Sequence, residues 1–379
     1  MKTLQIGLEW FPEQGGGLDR FYYDCTRYLP QAGVEVRGLV AGSEAIAKET
    51  DGRVRAFAPP DVSTWKRWLG MRNSFRQLIS QQEFDLIASH FAFYTFPVLN
   101  LIGDRPLVFH FHGPWALESG VEANKSLAIK VKKWLEQTTF RRSQKFIVLS
   151  QTFRDILHRE YQVPLEKIKI VPGGVDLLRF GIEISPPEAR TKLGWEADRP
   201  IIFCVRRLVK RMGLENLVTA MVTVRSVYPD ALLYIAGKGE LTTTLQTQIA
   251  ELELSNNVKL LGYVADEELP LCYRAANFSV IPTVALEGFG LIAIESLAAG
   301  TPVLGTPIGG IPEILRPFNS DLVFEGYQSQ QLATGIIEAL KGDRKLPSSQ
   351  ACIDYVKENY TWQAIAQKLK SVYQEALNP

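Results

Sequence analysis

Residues 287–295 read EGFGLIAIE, two carboxylates around a Gly-Phe-Gly turn and an apolar run. Leu291, Ile292, Ala293 and Ile294 have the character of a buried helix, and Gly288, Phe289 and Gly290 that of the loop entering it. The first amides of such a helix lack intrahelical acceptors, and the helix dipole adds partial positive charge at the same point. A junction of this kind suits a phosphate group. At a helical rise of about 1.5 Å per residue, Glu287 and Glu295 stand roughly 12 Å apart and can hold opposite ends of an extended phosphate-bearing ligand.

Outward from this stretch, short apolar runs alternate with longer amphipathic ones. PIIFCV from Pro200, ALLYIAG from Ala231, VKLLG from Val258 and FSVIP from Phe278 read as strands with helices between them. An earlier series, LQIGL from Leu4, VEVRGLV from Val34, FDLIAS from Phe84, PLVFHFH from Pro106 and KFIVLS from Lys145, repeats the pattern. Such alternation predicts parallel sheets with helical crossovers, an α/β fold of two Rossmann-like doubly wound domains. The rhythm pauses between Phe180 and Arg199, around Pro186 and Pro187. The expected domains are therefore residues 1–185 and 186–355, followed by a helical segment over 356–379, where YTWQAIAQKLKSVYQEAL has helical apolar spacing.

Composition excludes several classes. The chain has 379 residues, 46% of them hydrophobic, enough for two cores. Its 42 basic and 41 acidic residues nearly cancel, so no nucleic-acid partner is implied. Cys25, Cys204, Cys272 and Cys352 lie far apart, which argues against a zinc site or disulfide framework and fits a reducing cytoplasm. There is no D-x-D motif, so the common acidic metal anchor is missing and no metal ligand set is assigned. Neither a signal segment nor an apolar run of membrane-spanning length is evident, giving an expectation of a cytoplasmic or membrane-peripheral protein.

Three further groups of residues carry possible chemistry. Gly15, Gly16 and Gly17 follow the first strand and permit close backbone approach to a phosphate or sugar, although a plain tight turn needs the same residues. Gly237 and Gly239 follow a later strand without the third glycine of a dinucleotide fingerprint, which disfavours a nicotinamide enzyme. VRRLVKRMG, residues 205–213, places Arg206, Arg207, Lys210 and Arg211 after a strand, where charge-assisted bonds can neutralise a diphosphate; a solvated basic face is the plainer reading. His110 and His112 lie on one face of the strand ending in FHFHGPW, with His112 nearer the strand-end turn; His90 ends the strand before it.

Taken together, these residues resemble the retaining nucleotide-sugar glycosyltransferases of family 4, whose GT-B architecture pairs two facing Rossmann-like domains. The resemblance covers nearly the whole chain and is most specific over residues 261–315, LGYVADEELPLCYRAANFSVIPTVALEGFGLIAIESLAAGTPVLGTPIGGIPEIL. GGLD at Gly16, HG at His112, GGVD at Gly173 and GKGEL at Gly237 follow in the expected order. The fold it implies includes a C-terminal helix packing back on the N-terminal domain.

The resemblance implies that a nucleotide-sugar is the donor, a co-substrate with no separate cofactor, and that a UDP-hexose such as UDP-glucose is the first candidate. Glu287 would contact the transferred sugar and Glu295 the ribose. Amides of Gly288, Phe289, Gly290 and Leu291 would serve sugar and pyrophosphate, with Gly16 and Gly17 near the phosphates and Gly237, Tyr263 and Val264 beside the nucleotide. Arg207 matches the family's phosphate-binding arginine. The usual lysine is replaced by Met212, and Arg211 is the neighbouring positive charge. His112 would face the sugar, and His90 and Trp115 the hydroxyl acceptor. Catalysis would rest on His112, Arg207, Arg211 and Glu287, by a metal-independent front-face route rather than a carboxylate nucleophile. Two alternatives stay open: a GT-B epimerase or phosphorylase, and a nucleotide-sugar-binding protein that has lost catalysis, the last suggested by Met212.

Two N-terminal stretches are basic and aromatic. WKRWLGMRNSFR, residues 65–76, has no acidic residue, and KSLAIKVKKWLEQTTFRRSQK, residues 125–145, has only Glu136. In the second, Leu127, Val131, Trp134, Leu135 and Thr138 form a helical stripe, as in a helix lying on a membrane surface or one packed on a sheet.

Overall fold

The computed structural model describes residues 1–11, 13–122 and 126–378. Lys125, the first residue of the second basic stretch, falls outside them. The chain forms two compact units: Met1–Gly174 together with Trp362–Pro379, and Val175–Thr361.

The first unit holds a seven-stranded parallel sheet. Its strands are β1 (Lys2–Glu9), β2 (Glu35–Ala41), β3 (Val54–Ala58), β4 (Leu86–Ser89), β5 (Leu107–Phe111), β6 (Lys145–Val148) and β7 (Ile168–Ile170). They are ordered β3-β2-β1-β4-β5-β6-β7. The second unit holds β8 (Ile201–Val205), β9 (Leu232–Ala236), β10 (Val258–Gly262), β11 (Phe278–Ile281) and β12 (Val303–Gly305) in the order β10-β9-β8-β11-β12. Strands such as IIFCV and LLYIA are apolar throughout because helices cover both sheet faces.

Both sheets reverse their strand order once, between β1 and β4 and between β8 and β11. The carboxyl ends of strands at such a reversal splay their following loops apart and leave a crevice for ligand. In the second unit the turn after β8 is brought hard against the turn after β11. Gly213 makes this possible: at φ +71° it lies where a Cβ would come within 2.0 Å of the Pro282 carbonyl oxygen.

The division differs from the one read at 185/186. Residues after Gly174 already pack on the second unit: Phe180 is buried against Tyr273 with ring centroids 6.2 Å apart, and Arg274 Nε donates to the Ile184 carbonyl at 2.7 Å. The prolines instead open the helix Pro186–Leu193, capped by Ser185 and Glu188. At the other end, the helix Ser349–Asn359 stays with the second unit and only Trp362–Leu377 joins the first. There Trp362 stacks on Tyr28 at 5.8 Å and Lys370 Nζ donates to the Ala32 carbonyl at 2.8 Å.

Candidate active site

In the second unit, Arg206 is the first residue after β8, and its amide donates to the Ala236 carbonyl at the end of β9, at 2.9 Å. Its guanidinium pairs with Glu287 Oε2 and donates to Thr283 Oγ1, both in the segment after β11. The two charged side chains are 8% and 12% exposed, so this is a desolvated ion pair held by neighbouring loops. Arg211, also buried, donates Nη1 to the Leu286 carbonyl at 3.0 Å, and its own carbonyl accepts from Val284 N at 3.0 Å. Leu286 takes φ +53°, a strained value for a side-chain-bearing residue, in the turn that aims Glu287 inward. Behind it Gly309 leaves room for the Glu287 backbone: a Cβ there would lie 1.9 Å from the Glu287 carbonyl oxygen.

Burial alone would raise the Glu287 pKa. The Arg206 charge and hydrogen bond, the Arg211 charge and a hydrogen bond from the Phe289 amide outweigh burial and hold it below the ordinary carboxylate value. Glu287 is therefore an ionised acceptor in a poorly hydrated place. The helix Leu291–Ala298 begins just beyond it, after Gly290 at φ +91°. Glu287 lies in the loop and not on that helix, so the helical spacing of roughly 12 Å does not describe the pair Glu287 and Glu295.

Other sequence-predicted residues fall around this centre unequally. Glu295 is buried in the helix and accepts from Tyr273 Oη at 3.2 Å. The Phe289 side chain points into the core beside Tyr360, centroids 5.8 Å apart, leaving its backbone as the part at the loop. Gly288 and Leu291 are half-buried at the helix start. Arg207 is exposed, whereas Met212 is buried in the core. Gly237 donates to the Gly262 carbonyl at 2.7 Å, and a Cβ on it would lie 1.9 Å from the Arg206 carbonyl oxygen, so it serves close packing of the β8 and β9 ends. Tyr263 is exposed with Lys238 Nζ 5.4 Å from its ring centre, and Val264 beside it is half-buried.

In the first unit, the reversal edge carries histidines instead of arginines. His90, immediately after β4, stacks on His110 at 4.1 Å and on His112 at 5.3 Å, each with ring planes 17° apart. His90 Nε2 meets Gln5 Oε1 at 3.0 Å and its Nδ1 meets His112 Nε2 at 3.1 Å. Both of its nitrogens are thus engaged and the ring is buried, so His90 stands behind His112 with no polar atom to offer an acceptor molecule, contrary to the role expected for it. His110 Nε2 meets Tyr373 Oη at 2.7 Å. Burial pushes the His112 pKa down to about 3 and, with the neighbouring imidazoles, holds His90 and His110 well below the ordinary histidine value. The stack is neutral at physiological pH.

Among the described residues, these three histidines are the one group whose potential metal-ligand atoms come together, all within 4.8 Å of one another. Stacked rings hold their nitrogen lone pairs in nearly parallel planes, and both His90 nitrogens already have partners, so the arrangement fits a hydrogen-bonded stack better than a tetrahedral centre.

Trp115 is half-buried at the start of the helix Trp115–Glu122, edge-on to Phe91 at 5.2 Å, with Lys132 Nζ 4.6 Å from its ring centre. Gly16 precedes the helix Gly17–Tyr28, and a Cβ on it would lie 2.5 Å from Asp19 Oδ2. Asp19 is buried, accepts from the Glu9 amide at 3.0 Å, and has its pKa raised by burial to about 6. The glycine loop therefore has carboxyl groups as neighbours. Sequence reasoning missed Arg206 as the partner of Glu287, Asp19 beside the loop, and Gln5 and Tyr373 behind the histidines. Arg206 was present in the basic cluster, but adjacent residues at a strand end point to opposite sides, and only the fold picks between them.

Two parallel doubly wound sheets, each reversing its strand order once, have the α/β organisation of the GT-B glycosyltransferases. The family model "Glycosyl transferases group 1" matches residues 186–359 and "Glycosyltransferase Family 4" matches residues 15–179. The chain belongs to the glycosyltransferases of this type. It is 28% identical over 391 residues to an uncharacterized glycosyltransferase of Methanocaldococcus jannaschii, covering 100% of this chain and 99% of the relative. A GDP-mannose-dependent alpha-(1-6)-phosphatidylinositol monomannoside mannosyltransferase of Mycobacterium tuberculosis is 31% identical over 216 residues, 54% of this chain and 55% of the relative. Among solved structures, sucrose-phosphate synthase from Thermosynechococcus elongatus superposes with TM-score 0.83 at 21% identity, covering 100% of this chain and 99% of its own. Anabaena HepE in complex with UDP-glucose does so with TM-score 0.77 at 20% identity, covering 99% and 100%. Identities at this level carry the fold.

Proposed function

We propose that this chain transfers a hexose from a nucleoside-diphosphate hexose to a hydroxyl acceptor with retention of configuration, with UDP-glucose the first donor to test. The observation that carries the reading is the buried, ionised Glu287 paired with Arg206 at the strand-order reversal, just before a helix N-terminus. A carboxylate held ionised there accepts hydrogen bonds from sugar hydroxyls. Arg207, Arg211 and the helix start supply positive charge for the diphosphate, so stabilisation of the leaving group does not need a resident metal. The anomeric carbon–oxygen bond breaks toward the diphosphate, whose oxygen takes the acceptor's proton as the acceptor oxygen bonds the same face of the sugar. Glu287 and His112 orient the hexose, and Glu295 holds the ribose.

The nucleobase is the first point to test, since the mycobacterial relative is named for GDP-mannose and the Anabaena structure for UDP-glucose. A ligand that binds only the folded state raises its melting temperature with concentration. Thermal shift against UDP-, GDP- and ADP-hexoses should single out one base, followed by hexose transfer or slow donor hydrolysis. No shift with any of them, or a shift with neither transfer nor hydrolysis, would overturn the proposal, the second result in favour of a binding protein.

The acceptor side adds a specific surface. In the helix Thr64–Gln81 Trp65 is 72% exposed, and in the helix Ser126–Arg142 Leu127 and Trp134 are 76% and 54% exposed. The stripe expected on the second helix splits: Leu127, Val131 and Trp134 face outward and Leu135 is buried. Phe96 joins the two helices, 5.6 Å from Trp68 and 5.0 Å from Trp134 by ring centroids. Lys66, Arg76, Lys130 and Arg141 are exposed on the same helices, whose single acidic residue, Glu136, is buried against Tyr161. Exposed aromatics among cations, on helices with no exposed acidic residue of their own, suit an anionic bilayer surface, and with it a lipid-linked acceptor. Among the described residues no helix is long and apolar enough to cross a membrane. Flotation with anionic vesicles, set against neutral ones, tests this; equal recovery in both removes the membrane from the reading.

A further inference from the structure

The first unit contains a hydrogen-bond chain whose direction can be read from one end to the other. It begins at a group that can only accept, the backbone carbonyl of Glu35. Thr3 Oγ1 lies 3.3 Å from it and must donate its hydroxyl proton there. The Thr3 oxygen then accepts from Gln5 Nε2 at 3.0 Å, while the same amide nitrogen lies 3.4 Å from Tyr373 Oη. That fixes the Gln5 amide, with Oε1 turned toward His90 Nε2 at 3.0 Å. A carbonyl oxygen accepts, so His90 carries its proton on Nε2 and keeps a lone pair on Nδ1. His112 Nε2, 3.1 Å from that lone pair, must in turn carry the proton. His112 Nδ1 is then the remaining ring nitrogen, unprotonated, on the residue that ends the PLVFHFH run beside the Gly113 turn.

We infer that Gln5 and His90 are positioning residues that lock His112 in its Nε2–H tautomer, so that His112 presents Nδ1 as an acceptor to a hydroxyl of the bound hexose. The link to the hexose rests on the function proposed above; the lock itself does not. An imidazole free to exchange tautomers would present an N–H to the ligand part of the time and repel the hydroxyl proton it is meant to receive. The chain removes that choice, and it does so with neutral groups, since a proton added to His112 would occupy the one ring nitrogen left as an acceptor. His110 closes the stack from behind, between His90 at 4.1 Å and Tyr373 on the returning C-terminal helix at 2.7 Å. The same chain turns His90 from an acceptor-binding candidate into the residue that sets the chemistry of its neighbour.

Long-range proton–nitrogen NMR of the full chain, labelled at its four histidines, reads the protonated nitrogen of each ring directly. At neutral pH His90 and His112 should both be Nε2–H tautomers in the unliganded protein. His112 found as the Nδ1–H form, or charged, overturns the lock whatever the enzyme does. Two substitutions separate the lock from simple packing. His90→Asn can place a carbonyl oxygen near the position of Nδ1 and should keep His112 in the Nε2–H form, whereas His90→Gln places its polar end near Nε2 and should release it to a mixture. Identical His112 signals in both variants also overturn the proposal. With UDP-glucose as the turnover probe, His90→Gln should lose about tenfold in kcat, the size of one hydrogen bond, and His90→Asn should recover most of it. A locked tautomer in a protein that turns over no nucleotide-sugar would leave the lock standing and remove the functional reading it was linked to.

Discussion

The two strand-order reversals of this chain solve one topological situation with opposite electrostatics. At β8 and β11 the edge is charged: Arg206 and Glu287 are buried together, with Arg211 beside them. At β1 and β4 the edge is neutral: three stacked imidazoles whose protons are directed by Gln5 and Thr3. A buried ion pair fixes a charge in place and tolerates loss of a partner badly. A chain of neutral hydrogen bonds fixes the position of a proton and depends on each member in turn. The fold thus provides the same strand-end crevice twice, and the residues decide whether it holds a buried ion pair or a directed chain of neutral hydrogen bonds.

The largest effect should come from breaking the ion pair. Arg206→Met leaves Glu287 buried without its partner and should cost on the order of 3–5 kcal/mol of stability, with transfer lost at least a hundredfold. Thermal or urea unfolding beside a turnover assay measures both. Full activity in this variant would show that Glu287 does not need Arg206 to act. Arg207→Ala probes the exposed arginine of the same turn. Transfer should fall roughly tenfold to a hundredfold, while stability stays within about 0.5 kcal/mol, as for surface positions. Unchanged transfer would remove Arg207 from the mechanism.

The first unit is sharpened by pH. Burial raises the Asp19 pKa to about 6 from an ordinary 3.8, so the folded chain holds that proton more tightly than the unfolded one. The stability this contributes is present at low pH and is lost as pH rises from about 4 through 6. Asp19→Asn cannot ionise and should gain on wild type by roughly 1–3 kcal/mol at pH 7.5, and by little at pH 4. Paired unfolding curves at the two pH values decide it; a pH-independent difference would mean that burial does not raise the Asp19 pKa. The smallest effect belongs to a chelator, which should leave transfer within assay error. Strict metal dependence would transfer the burden assigned to the arginines to a cation.

Much of the fold was legible from alternation alone, because buried parallel strands must be apolar on both faces and their crossovers amphipathic. The domain boundary was less so. Pro186 and Pro187 looked like a linker and instead open a helix, since proline fits a first helical turn as well as a break. Glu287 and Glu295 were both found, but not their inequality: one is a loop carboxylate paired with arginine, the other a helix residue under Tyr273. Local spacing cannot report a partner supplied by β8 or by the helix Leu269–Ala275.

The sequence by itself determined the two doubly wound sheets, the glycosyltransferase family, and the inventory of groups at the strand ends. Periodicity and residue type are local quantities, and the sheets and the inventory follow from them, whereas the family rests on the resemblance of its motifs. Only the tertiary structure decided that Arg206 rather than Arg207 meets Glu287, that Tyr373 of the last helix stands behind His110, and which nitrogen of His112 carries its proton. Each depends on a contact between residues distant in sequence. A one-residue change of register turns a side chain to the opposite side, and the direction of a hydrogen-bond chain is fixed only where it meets a group that cannot donate.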